Sequence, residues 1–102
     1  MSKQEIKQKI KEAVEIDPLR DSIQKVSIFG SYIHEDFKSD SDVDILIEFT
    51  PTASIGFFEL IDIQNRLKGV AGKEIDLLTP QSLSKYFREE VIKEAETIYE
   101  RK

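Results

Sequence analysis

Residues 42–49 read Asp-Val-Asp-Ile-Leu-Ile-Glu-Phe, and no other stretch of the chain restricts its fold so strongly. Val43, Ile45, Ile47 and Phe49 alternate with Asp42, Asp44, Leu46 and Glu48. A period of two belongs to a strand with one face turned to a core, because successive side chains leave a strand on opposite sides. Thr50-Pro51 closes the run, since proline has no N–H and pushes the residue before it out of helical geometry.

The flanking segments supply partners for this strand. From Ser2 to about Ile16, Ile6, Ile10 and Val14 recur at four-residue steps, the spacing of one helical stripe. Ser2 and Glu5 fit a capping box at its start, and Asp17-Pro18 ends it. Val26, Ile28 and Phe29 form a short strand that runs into a sharp turn at Gly30-Ser31. Phe57, Leu60, Ile63, Leu67 and Val70 predict a second amphipathic helix over about 54–70, with Gly69 and Gly72 as stop signals. Residues 73–78 (KEIDLL) read as a strand with Ile75 and Leu77 on one face and Asp76 on the other. Thr79-Pro80 reads as a helix start, followed by a stripe of Leu83, Phe87, Val91, Ala95 and Tyr99 that predicts a helix to the end. The expected order is α-β-β-α-β-α, a small α+β (α/β-like) domain with helices packed on a mixed sheet. No linker, repeat or shift of composition interrupts the 102 residues, so one domain over 1–102 is expected.

Composition removes several classes of function. Without cysteine there is no disulfide and no thiolate metal site, and with His34 as the single histidine there is no multi-imidazole site. Twenty acidic residues against 15 basic ones, a net charge of -5, argue against general affinity for nucleic acid. No apolar run approaches the roughly 20 residues of a membrane span. The opening residues show no secretory pattern, so a cytoplasmic location is expected.

The chemistry concentrates in residues 27–49. Asp42 and Asp44 are two apart in a strand, so their carboxylates leave the same face and repel each other unless a cation intervenes. Their oxygens are the hard ligands that magnesium takes alongside phosphate oxygens. Asp40 reads as an acid of the preceding turn. Gly30-Ser31 directly follows a strand, where glycine permits close backbone approach and serine can offer a hydroxyl and an amide to a phosphate. Asp76 interrupts an apolar strand. Alone it reads as a solvent-facing acid, and beside Asp42 and Asp44 as a candidate third ligand. Three carboxylates with two metal ions are the equipment of in-line phosphoryl or nucleotidyl transfer.

Gly30-Ser31, ten intervening residues and Asp42-Val43-Asp44 resemble the signature of the DNA polymerase β-like nucleotidyltransferase superfamily. The chain is most similar to its minimal (MNT) members, commonly the antitoxins of HEPN/MNT toxin–antitoxin pairs. The run Gly72 to Pro80 resembles the segment in which that family places a third carboxylate, and the tail from Phe87 to Glu100 resembles its last helix. The resemblance implies a polymerase β-like fold, with Asp42, Asp44 and Asp76 as catalytic residues holding one or two magnesium ions. It implies that Gly30 and Ser31 bind the nucleotide. It further implies transfer of AMP from ATP to a hydroxyl acceptor, a tyrosine on a HEPN-type helical toxin. Where many relatives continue with Ala-Arg-Gly, this chain has Ile33-His34-Glu35, which removes a positive charge near the triphosphate and, with Asp36, adds negative charge. The alternative is a non-catalytic antitoxin that neutralises its partner by masking it. Phe58 and Ile61 lie off the helical stripe and are candidates to face a partner. A homo-oligomer stays open, as does transfer to a small molecule.

Overall fold

The computed structural model describes residues 2–30 and 42–101. The elements are α1 (Lys3–Glu15), β1 (Ile23–Phe29), β2 (Val43–Phe49), α2 (Phe57–Ala71), β3 (Ile75–Leu78), α3 (Arg88–Glu94) and β4 (Glu96–Glu100), with short 3-10 turns at Arg20–Ser22 and Pro80–Ser82. The strands form one sheet in the order β3-β2-β1-β4. β1 is antiparallel to both β2 and β4, while β2 and β3 run parallel with α2 as the crossover between them. The α+β class expected from the sequence is the class observed.

α1 begins where its capping box places it. Ser2 Oγ accepts the Glu5 N–H at 3.2 Å, and Glu5 Oε1 accepts the Ser2 N–H at 3.5 Å. Its stripe of Ile6, Ile10 and Val14 is fully buried. α2 stops at Gly72, whose left-handed backbone (φ 66°) lets its N–H reach Lys68 O at 2.9 Å. These two helices cover one face of the sheet. Their stripes meet Val26 and Ile28 of β1, Val43, Ile45 and Ile47 of β2, Ile75 and Leu77 of β3, and Ile98 of β4 in one core. Leu46 and Ser27 are buried outside that cluster, on the opposite face of the sheet, and Leu83 is likewise buried outside it. Asp17 and Arg66 tie the end of α1 to α2 through two bonds, Nε to Oδ2 at 2.8 Å and Nη2 to Oδ1 at 2.9 Å.

Two expectations need correction. The stripe assigned to α2 is rotated: Ile63, Leu67 and Ala71 are its buried residues, while Phe57 and Val70 are 70% and 42% exposed. The terminal helix is also much shorter than its stripe suggests. Thr79 and Pro80 open a single 3-10 turn, α3 starts only at Arg88, and it ends at Ala95, whose backbone is extended (φ -61°, ψ 138°). Residues 96–100 then pair with β1, Val26 opposite Tyr99 and Ile28 opposite Glu96. The free edge of β1 offers a row of unpaired backbone groups, and a strand satisfies them where a helix would not.

Candidate functional site

Register brings the acids together. In β2, Asp44, Leu46 and Glu48 share the face opposite the main core, and Asp42, just before the strand, has the same parity. Asp44 lies beside Phe29 of β1 on one side and beside Asp76 of β3 on the other. Val43 N donates to Glu74 O at 2.9 Å, which locks the start of β2 to the entry of β3 and sets that register. Asp42 and Asp76 are exposed, and Asp44 is partly buried between the neighbouring strands.

Charge follows from this placement. Burial, then the negative charges of Asp76 and Asp42, push the Asp44 carboxyl above the ordinary carboxylate range. Among the described residues, no lysine or arginine forms an ion pair with any of the three acids. The donor set therefore fits a hard divalent cation: oxygen ligands only, with excess negative charge at one point. The acids stand as neighbours and not as a closed cage, since no group of three or more His, Cys, Asp or Glu among the described residues is drawn together tightly enough to hold a metal.

Gly30 follows Phe29 directly and has φ 75°. Its Cα faces the Asp44 carboxylate so closely that a Cβ at this position would collide with Asp44 Oδ2. The sequence singled out Gly30 for backbone approach to a ligand, and its contact with Asp44 carried no sequence signal. Ser31, Tyr32, Ile33, His34, Glu35, Asp36 and Asp40 lie outside the described residues. A cavity of about 340 Å³ around the Asp17–Arg66 pair at the ends of α1 and α2 is lined by none of the three acids. No helix among the described residues is long and apolar enough to cross a membrane.

The site is thus a mixed four-stranded sheet under helices, with Asp44 and Asp76 in register on two parallel strands. The pattern that defines the family described as "Polymerase beta, Nucleotidyltransferase" matches residues 5–102, and the chain belongs to this family. It is 36% identical over 77 residues to a Methanocaldococcus jannaschii protein provisionally named a protein adenylyltransferase, covering 76% of this chain and 81% of that one. It is 32% identical over 75 residues to the protein adenylyltransferase MntA of Thermococcus cleftensis, 74% of each chain. The chain is accordingly an enzyme of the nucleotidyltransferase class, similar to protein adenylyltransferases. Among solved structures it resembles one described provisionally as a minimal nucleotidyltransferase (TM-score 0.74, 26% identity, 93% of this chain and 94% of that one). It also shares its fold with one chain of a structure described as a tri-AMPylated Shewanella oneidensis HEPN toxin in complex with an MNT antitoxin (TM-score 0.67, 20% identity, 97% of this chain and 73% of that one).

Proposed function

We propose that this chain transfers AMP from ATP to a hydroxyl of a protein partner, a tyrosine of a HEPN-type toxin, and thereby acts as that toxin's antitoxin. The observation that carries the proposal is the side-by-side placement of Asp44 and Asp76 across β2 and β3, with Asp42 on the same face. Family membership and the named adenylyltransferase relatives support the chemistry, and the shared fold of the MNT–HEPN complex supports the partner.

Asp42, Asp44 and Asp76 would hold magnesium, which when bound neutralises phosphate charge and lowers the pKa of an attacking hydroxyl. In the reaction the acceptor oxygen attacks the α-phosphorus of ATP. A new O–P bond forms, the bond to the β-phosphate bridging oxygen breaks, and pyrophosphate leaves. Asp76, exposed on the edge strand β3, would receive the hydroxyl proton. Asp44, flanked on both sides by strands, supplies the fixed carboxylate. Asp42 and Asp76, being exposed, keep the rotameric freedom to close around a ligand. Ser31, the next residue in the chain after Gly30, would contact the triphosphate, and Gly30, directly after β1, would leave room for it. The exposed edge-on pair Phe57 and Phe58, with ring centroids 6.1 Å apart, supports a protein partner of some size.

The test is a partner toxin incubated with ATP, magnesium and the chain, with intact mass as the readout. One added AMP on a tyrosine is expected, and Asp44→Asn should lower the rate by about 10²-fold or more while the variant stays folded. Tight complex formation with no added mass would refute transfer and leave masking as the function.

A further inference from the structure

We infer that Gly30 is a positioning residue for Asp44: its missing side chain is the space into which the Asp44 carboxylate packs. The catalytic consequence rests on the proposed role of Asp44, whereas the contact itself does not. An ideal Cβ on Gly30 would clash with Asp44 Oδ2 and lie 3.1 Å from Cγ and 3.4 Å from Cβ of the same residue. All three nearest atoms belong to one side chain, so among the described residues Asp44 is what a side chain at this glycine would meet first. Gly72 is the internal contrast. It has nearly the same backbone (φ 66° against 75°), yet nothing lies within 4 Å of the position its Cβ would take. Gly72 is a glycine for its backbone conformation only, and Gly30 for its backbone conformation and for Asp44.

The consequence is that Asp44 is held in place before any ligand arrives. The Gly30 backbone lies against its carboxylate and β3 bounds its other side. A ligand group already locked in its productive orientation loses little rotamer entropy on binding, which raises both affinity and rate. Asp42 and Asp76 are exposed and lack that restraint. Gly30 therefore acts through Asp44, and this role needs no contact of its own with phosphate.

Four variants test this in urea melts without divalent ions: Gly30→Ala, Gly72→Ala, Asp44→Ala, and the double variant Gly30→Ala with Asp44→Ala. The left-handed backbone should cost either glycine variant about tenfold in the folding equilibrium constant. Gly30→Ala should lose about a further tenfold or more from the collision. That excess should vanish when Asp44 is already alanine. An excess that persists in the Asp44→Ala background, or no excess at all, overturns the inference. If Gly30→Ala does not fold, recovery of folding in the double variant supports it, and failure of the double variant as well overturns it. In transfer assays Gly30→Ala should lower kcat with the KM for ATP nearly unchanged, and Gly72→Ala should lower neither. A loss confined to KM would assign Gly30 to the nucleotide and overturn the positioning role. If Asp44→Asn proves fully active, the proposed mechanism falls while the stability coupling between Gly30 and Asp44 is still read independently.

Discussion

Replacing Asp44 by asparagine should stabilise the fold while it disables the enzyme, and the stabilisation can be sized from the sheet. The substitution keeps the shape of the side chain, so the packing against Gly30 is retained, and it removes one charge from a row of acids. Asp44 is in register with Asp76 on the adjacent parallel strand. Adjacent strands are about 4.8 Å apart. Two like charges about 5 Å apart repel by about 0.8 kcal/mol in water, and several times more in a lower dielectric. Asp76 is exposed and Asp44 only partly buried, so the water-like figure applies, and physiological salt reduces it further. With a smaller contribution from Asp42, the variant should gain about 1 kcal/mol near neutral pH at low ionic strength, or about 4–8 °C in Tm. The pH dependence has a definite sign. The folded protein holds the Asp44 carboxyl above its ordinary value of 3.8, chiefly by burial and then by its acidic neighbours. The native chain therefore loses stability as pH rises through that raised value. The advantage of asparagine should be absent below pH 3.8, appear above it, and shrink with added salt. Thermal melts followed by far-UV circular dichroism, with divalent ions removed, measure this directly. A variant less stable than the parent at neutral pH, or a gain equal in acid and at neutral pH, would refute the reasoning.

Two further outcomes follow from other charged contacts. Arg66→Ala removes the ion-pair partner of the Asp17 carboxylate, which is 3% exposed in the parent, and only the Leu19 N–H (2.9 Å) still donates to it among the described bonds. Because the Arg66 side chain was itself 38% exposed, water relieves part of the loss, and urea denaturation should show about 2–3 kcal/mol of destabilisation, of which adding Asp17→Asn restores about half. Glu96 binds Lys3 at 2.7 Å and Lys7 at 3.1 Å, and the Lys3 bond above all holds its carboxyl below the ordinary value of 4.5. Its contribution is present above pH 4.5 and lost as pH falls through the depressed folded value. At this half-exposed cluster of three charges Glu96→Gln should cost about 1 kcal/mol at neutral pH, and less in about 1 M salt, by the same melts.

The comparison of α1 with the C-terminal segment shows where sequence reading succeeds. Ile6, Ile10 and Val14 sit on a helix with its own cap, and the capping residues are neighbours in the chain, so local pattern and structure coincide. The stripe from Leu83 to Tyr99 has the same four-residue spacing, yet residues 96–100 form an edge strand. Thr97, Ile98 and Tyr99 are strand formers, a signal that was present and outweighed by the periodicity. α2 shows a milder version of the same difficulty: Phe57 and Val70 continue its apolar spacing, but the face that the sheet covers ends at Ile63, Leu67 and Ala71.

The chain's own order of residues determined α1, β1, β2, α2 and β3, and that Asp42 and Asp44 leave one face. Those properties depend only on neighbours along the backbone. Tertiary structure decided that Asp76 stands next to Asp44, that the Asp44 carboxylate fills the space a Gly30 side chain would need, and that the tail completes the sheet beside β1. Each of these joins residues distant in sequence through strand register, and register is set by the burial of whole faces and the pairing of every backbone group at once, which no local window contains.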